Sequence, residues 1–317
     1  MIKLPERSRI YLTPVCDSTR WDGYEPRVGD IIVCTPPKCG TTWTQMICAL
    51  LVHGSPQLPR PLTQLSRWLD RHTIPIEKQL AELNSQQHRR IIKTHTPLDG
   101  LPYYPEVSYV FCGRDPRDAF LSFVDHLGNV SSHAMADINR RMELPENHEM
   151  AVEANELFPL WATKGAQEWT YDGAPFGLPM LYMVESYWRF RHLPNLLFLH
   201  YADLIENLEA EMRRVAKFLE VDPGEGDWPA LVTAASFAGM KNNAEQTAPD
   251  ADLDEWRSSG DFFRSARMAA WQTALSGENK ALYEQVNSMR LEPEMKAWAE
   301  RGRAAMAAVA PAPAVPG

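Results

Sequence analysis

Four side chains able to hold an anion or move a proton fall in three short stretches: Lys38, then Lys93 with His95, then Arg114. Lys38 lies in Thr35-Pro36-Pro37-Lys38-Cys39-Gly40-Thr41-Thr42-Trp43. This follows the apolar run Ile31-Ile32-Val33-Cys34 and precedes Trp43, Met46, Ile47, Leu50 and Leu51, which are apolar at helical spacing. Strand, tight turn, helix is the reading. The start of such a helix aims unpaired backbone N–H groups and the positive end of its dipole at the turn, which makes an anion site. Lys38 adds a point charge, and Thr41 and Thr42 add hydroxyl donors. A phosphate-binding loop is expected. It is not the nucleotide-hydrolase version, whose lysine follows the second glycine of G-x-x-x-x-G-K-[ST]. Here Lys38 precedes Gly40, the one glycine of the stretch.

Lys93 and His95 stand two apart at the end of Arg90-Ile91-Ile92-Lys93-Thr94. On an extended chain their side chains leave on the same face. A histidine titrates near neutrality and can take a proton from an attacking hydroxyl. A lone histidine more often satisfies backbone groups in a turn; a neighbouring lysine on the same face argues for chemistry. Arg114, in Gly113-Arg114-Asp115-Pro116-Arg117, offers a planar fork for phosphate oxygens at a strand-to-helix turn. Ser122 lies two turns further on, in reach of the same phosphate. The plainer reading of this segment is a helix start with a surface arginine.

The elements that must carry these residues are short, continuously apolar strands separated by helices. Residues 31–34, 90–94, 107–112 and 196–200 read as strands, with helical stretches up to about Gln87 and from about Asp118 to His126. After Leu196-Leu197-Phe198-Leu199-His200, one helix carries Leu204, Leu208, Met212, Val215 and Leu219 on one face. The expectation is an α/β fold of one domain, with a central parallel sheet flanked by helices and the phosphate loop at a strand end. Such sheets bind ligands beyond the carboxyl ends of their strands. Residues 1–29 read as an irregular lead-in and 128–180 as loops and helices over the sheet, plausibly on the acceptor side. The domain is expected to span 1–303, with the Ala-, Val- and Pro-rich 304–317 a disordered tail.

The order Pro-Lys-x-Gly-Thr-Thr-Trp resembles the donor loop of the cytosolic-type sulfotransferases, which use 3′-phosphoadenosine 5′-phosphosulfate. That loop usually reads Tyr-Pro-Lys-Ser-Gly-Thr-Thr-Trp, so Pro36 and Cys39 are departures. Lys93-Thr94-His95-Thr96-Pro97-Leu98-Asp99 resembles the family's catalytic-histidine segment, and Arg114 with Ser122 its 3′-phosphate segment. Further matches are Tyr187-Trp188, the stretch Pro194 to Leu204, and Ser236-Phe237-Ala238-Gly239-Met240-Lys241-Asn242-Asn243. The resemblance implies a sulfotransferase variant of the P-loop fold, with His95 as base and Lys38 and Lys93 stabilising charge. It implies donor contacts from Lys38, Cys39, Gly40, Thr41, Thr42, Arg114, Ser122, Ser236 and Met240. Tyr201 would contact adenine, and Trp43 and Phe237 would sandwich it; by residue type alone these two are core aromatics. The family's Arg-Lys-Gly-x-x-Gly-Asp-Trp is reduced to Arg264-Ser265-Ala266-Arg267-Met268-Ala269-Ala270-Trp271. Donor contacts from Phe262, Arg264, Ser265, Ala266 and Arg267 are implied there, with Arg267 replacing the missing lysine charge. The family's dimer motif should follow Trp271, but Gln272, Ser276, Gly277 and Ala281 stand in its place, so that interface is not carried over. The resemblance runs from about Gly29 to Trp271, with a gap at 128–180.

The remaining properties exclude more than they identify. The 317 residues carry 32 Lys and Arg against 41 Asp and Glu, a net charge of −9, which argues against nucleic-acid binding. A nucleotide must therefore be held by clustered cations. Five cysteines without C-x-x-C spacing suggest neither a metal site nor a disulfide framework. Cys39 sits where a thiol pKa can be lowered, beside Lys38 and a helix start, although a passive replacement for serine is the commoner reading. No signal peptide or membrane span is evident, so a cytoplasmic protein is expected. The expected acceptor is a small-molecule phenol or alcohol, apolar or aromatic, with no metal required. Two alternatives stay open: a small-molecule kinase of P-loop type, and a non-catalytic nucleotide-binding protein.

Overall fold

A computed structural model describes residues 3–13, 15–141, 143, 145–146, 153–163, 180–249, 257–258, 263 and 268–306. The apolar run Ile31–Cys34 forms β1, followed by α1 (Thr41–His53), α2 (Leu62–Leu65), β2 (Ser66–Trp68), α3 (Ile76–Ser85) and β3 (Ile91–Thr94). β4 (Ser108–Gly113) leads into α4 (Pro116–Gly128), α5 (Ser132–Arg141), α6 (Ala154–Thr163) and α7 (Met180–Trp188). β5 (Leu196–His200) is followed by α8 (Tyr201–Glu206), α9 (Leu208–Phe218), α10 (Trp228–Ala235), α11 (Phe237–Asn242) and α12 (Ala244–Thr247). The chain closes with α13 (Trp271–Ala274), α14 (Gly277–Arg290), α15 (Pro293–Arg301) and α16 (Arg303–Met306).

Two elements differ from the sequence expectation. β2 interrupts the stretch read as helical up to Gln87; with three residues, two of them polar, it has no period to display. The helix after β5 is broken at Asn207, whose side chain accepts from Ala210 N and caps α9. Leu204, Met212, Val215 and Leu219 nevertheless enter one apolar cluster, because the break does not rotate the buried face away. The helical turn Arg303–Met306 starts at the last residue read as domain, where Arg303 N donates to Asp203 Oδ2 at 3.1 Å, and carries helix into the stretch read as tail. Residues 307–317 are outside the described residues.

The sheet has five strands in the order β2-β3-β1-β4-β5, every pairing parallel. Both faces are covered, and alternate residues serve the two. Ile31 and Val33 join the apolar layer of α1, α9 and α10, while Ile32 and Cys34 join that of α7 and α15. That is why these strands read as unbroken apolar runs. At the amino ends, Arg90 donates to Asp30 Oδ1 at 2.8 Å and to the Glu25 carbonyl at 2.7 Å, tying β3 to β1.

The carboxyl ends of β1 and β3 are level, Cys34 pairing with Thr94, whereas β4 passes Cys34 at Phe111 and runs on to Gly113 beside β5. β1 lies between β3 and β4, so the chain winds outward on both sides of it. The loops after these three strands therefore open onto one crevice, where doubly wound sheets bind ligands. At the far end of β4, a Cβ on Gly113 would stand 2.4 Å from the Trp298 indole, so α15 seats directly on that strand end.

Candidate active site

The loop after β1 turns sharply before α1. Cys39 N donates to the Pro36 carbonyl at 3.2 Å, and the residues on either side of it, Lys38 and Gly40, have φ of +66° and +86°. Glycine suits the second: a side chain there would be strained and its Cβ would stand 3.1 Å from the Tyr201 ring. Lys38 adopts the same region without that freedom, an uncommon conformation for a non-glycine residue. Gly40 is the N-cap of α1 and no side chain caps that helix, so its first amides face the loop as an anion cradle. Thr41 and Thr35 share a hydroxyl–hydroxyl bond, which fixes the loop to the strand end.

Alternation along β3 sorts the next segment into two faces. Thr94 and Thr96 both donate to Asp70 Oδ2, which also accepts from Trp21 Nε1 at 3.1 Å. Lys93 and His95 leave on the other face and meet Trp68. Lys93 Nζ is 3.9 Å from the centre of the indole, and the His95 ring meets it edge-on at 5.0 Å. His95 Nδ1 donates to the Thr35 carbonyl at 2.7 Å. A carbonyl only accepts, so the proton is on Nδ1 and Nε2 keeps its lone pair. Burial, then Lys93 and more weakly Lys38, pull His95 down to about 3, against the Thr35 bond, which favours the protonated ring.

Arg114, at the end of β4, ties the third loop to the first. Its Nη1 donates to the Lys38 carbonyl at 3.2 Å, and its guanidinium lies 4.5 Å above the Tyr201 ring. Tyr201 in turn meets Trp43 edge-on at 5.3 Å. Burial, then Arg114 and Lys93, lower Lys38 to about 7. Cations have been gathered where each destabilises the others. An anion of high charge density is the natural guest of that arrangement.

The family comparison decides what kind of site this is. The model of the sulfotransferase domain matches residues 28–298. The chain belongs to that family. This sulfotransferase is 36% identical over 310 residues to a glycolipid sulfotransferase of Mycobacterium bovis, covering 93% of this chain and 94% of the relative. It is 26% identical over 267 residues to human sulfotransferase 1E1, covering 80% and 81%. Among solved structures, mouse sulfotransferase SULT7A1 complexed with PAP superposes with a TM-score of 0.63 at 19% identity, over 87% of this chain and 88% of that one. Retinol dehydratase in complex with retinol and PAP gives 0.64 at 20%, over 88% and 87%. Both share the fold.

The structure brings Lys38, Lys93, His95, Gly40, Thr41, Thr42, Trp43, Arg114 and Tyr201 of this enzyme around one crevice. Thr42, Trp68 and Lys93 line a small pocket there. Trp43 Nε1 is buried with no hydrogen-bond partner among the described residues, an unpaired donor beside the Tyr201 ring. Ser122 is half-buried on α4. Ser236 is occupied as a cap: its hydroxyl accepts from Gly239 N at 3.0 Å and donates to the Thr233 carbonyl at 2.7 Å. Phe237 meets Phe263 edge-on at 6.2 Å, and Met240 is buried in the same layer as Trp43. Phe262, Arg264, Ser265, Ala266 and Arg267 lie outside the described residues. Cys39 departs from the reactive option: fully buried, its thiol is pushed well above the ordinary value, chiefly by burial.

Sequence reasoning missed four contributors. Trp68, in the three-residue β2, supplies the face under Lys93 and His95. His126 Nδ1 lies 3.2 Å from Lys38 Nζ. Asp118 accepts from the amides of Ala269, at 2.6 Å, and Trp271, at 3.2 Å, docking the altered motif's end onto α4. Arg117 places its guanidinium 3.6 Å over the Trp271 ring. No sequence signal marked His126, whose partner Lys38 is 88 positions away in the chain.

Proposed function

We propose that this sulfotransferase moves a sulfuryl group from 3′-phosphoadenosine 5′-phosphosulfate to a hydroxyl of a small-molecule acceptor, with His95 as general base. The observation that carries the reading is the fixed tautomer of His95: Nδ1–H is committed to Thr35, and Nε2 keeps its lone pair beside two lysines. The donor supplies the electrophilic sulfuryl group and a bisphosphate leaving group. The uncapped amides of α1, with Thr41 and Thr42, suit its 5′-phosphate, and Arg114 with Ser122 suits its 3′-phosphate. Lys38 and Lys93 oppose the charge that builds as the bond to sulfur breaks, in a site where positioning and electrostatics dominate. His95 Nε2 takes the acceptor proton. Negative charge beside Lys38 and Lys93 offsets the cations that depress His95, so loading the site strengthens the base.

The acceptor is taken to have an apolar or aromatic body and a free hydroxyl. Trp68 beside His95 supports this, as does the mycobacterial relative named for glycolipids. A reduced, cytoplasmic setting fits the five free, buried cysteines; no described helix is long and apolar enough to cross a membrane.

Thermal stabilisation by adenosine 3′,5′-bisphosphate without magnesium tests the donor site against 5′-AMP and ATP. At a hundred times its dissociation constant a ligand adds about 2.7 kcal/mol. A selective upward shift, abolished in Arg114→Ala, is expected. A shift with ATP and magnesium alone would move the reading to a kinase.

A further inference from the structure

His126 is absent from every sequence signal that marks the crevice, yet it touches the central lysine. It lies on α4 one turn beyond Ser122, and its Nδ1 is 3.2 Å from Lys38 Nζ, 88 positions away in the chain. Lys38 is thereby held twice. Its carbonyl accepts from Arg114 Nη1, and its amine meets an imidazole on a different element. Its left-handed backbone shows how firmly the loop is determined.

We propose that His126 is a positioning residue of the transfer reaction: its Nδ1 accepts a hydrogen bond from the Lys38 ammonium and holds that amine ready for the incoming charge. The inference rests on the donor reading above, since it gives Lys38 its task. The chemistry favours an imidazole for this duty. A carboxylate at the same place would form a permanent ion pair and compete with an anionic ligand. A neutral imidazole orients the amine on its flexible stem and gives it up without leaving a charge behind. The surroundings keep the ring neutral. Burial first, then Lys38, Lys93 and His95, hold His126 well below its ordinary range, so the Nδ1 lone pair stays available. The two imidazoles of the site then carry opposite tautomers. His95 is protonated on Nδ1 and basic at Nε2, whereas His126 accepts at Nδ1 and is protonated on Nε2.

The groups acting on Lys38 come from four directions: Cys39 in its own loop, Lys93 on β3, Arg114 after β4, and Asp125 with His126 on α4. Burial opposes the charged amine most, then Arg114 and Lys93, while Asp125, Cys39 and the imidazole bond favour it. Removing the imidazole therefore lowers the Lys38 pKa, and the ammonium form is lost at lower pH.

The test compares His126→Ala with His126→Asn, whose side-chain oxygen can stand where Nδ1 stood. The titration of Lys38 is read directly in ligand-free protein, from the pH dependence of its trace acetylation by acetic anhydride, with peptide mass spectrometry. A lower Lys38 pKa in His126→Ala, restored in His126→Asn, is expected. Turnover is expected to fall roughly 10- to 100-fold in His126→Ala, the size of one hydrogen bond to a charged group. The alkaline limb of kcat/KM should move to lower pH, the acceptor KM should hold, and the Asn variant should recover much of the loss. Equal Lys38 titration in wild type and His126→Ala overturns the proposal, whatever the donor proves to be. Equal losses in both variants, with a lowered Tm and no pH shift, would assign His126 to packing against Phe123. Failure of the bisphosphate to stabilise wild type would sink the donor reading separately.

Discussion

Two strand ends in this molecule carry the same residue in nearly the same surroundings and leave it with different hydrogen-bonding. His95 follows β3 and His200 ends β5. Each is buried, each meets a tryptophan edge-on (Trp68 at 5.0 Å, Trp298 at 5.3 Å), and each bonds to a backbone carbonyl. Burial is the leading cause that depresses both, to about 3 and about 4. The difference is in the second nitrogen. His200 spends Nε2 on the Ala299 carbonyl and Nδ1 on the Ala202 amide, which it caps at the start of α8. His95 commits Nδ1 alone, and lysines stand beside what is left. A depressed pKa thus marks burial in both places and by itself does not single out the proposed base. The uncommitted lone pair separates them.

That contrast can be broken most sharply by truncation. His95→Ala should lower turnover by roughly 10²–10⁴-fold while bisphosphate binding, read by thermal shift, stays near wild type. Retained turnover would remove His95 as the base and revive the non-catalytic alternative. His200→Ala should act on the fold: it strands an amide and a carbonyl, at a cost of about 1–3 kcal/mol of stability. The part of the protein that remains folded should turn over normally, which activity normalised to folded fraction would reveal.

The two histidines also predict a common acid response. Unfolded, each binds its proton near 6.5; folded, they resist until about 3 and about 4. Stability is therefore fully present above pH 6.5 and drains as the pH falls through that window. Denaturant midpoints across pH 7 to 4 should fall more steeply in wild type than in His200→Ala. The smallest effect is a fraction of a proton. Lys38 sits at about 7 in the empty site, so at pH 8 binding of the bisphosphate should be accompanied by proton uptake. Calorimetry in buffers of different ionisation enthalpy should show that uptake fading below pH 6 and missing from Lys38→Met.

Legibility followed the physics of each element. β1, β4 and β5 could be read because strands buried on both faces are nearly continuous apolar runs, β3 from the Ile91-Ile92 pair ahead of Lys93, and the loop after β1 because anion binding restricts residue order. β2 could not, since three edge residues display no period, and with it went Trp68. His126 carries no local signature; its meaning lies in a lysine brought to it by the fold. Asp118 and Arg117 read as an ordinary helix start, and their use as a dock for Ala269 and Trp271 is tertiary. At Cys39 the reactive option stayed open beside the commoner passive one because proximity to a lysine and a helix start was visible, whereas complete burial was not.

The seating of Trp298 against Gly113 has a consequence for the history of each molecule. The residue directly after Gly113 is Arg114, yet the indole that backs that strand end belongs to α15, which is synthesised long after it. Since chains emerge amino end first, a nascent or prematurely terminated polypeptide can form the loop around Lys38 before its arginine fork has support. Synthesis through α15, rather than folding of the amino-terminal half, is then the event that makes the crevice whole.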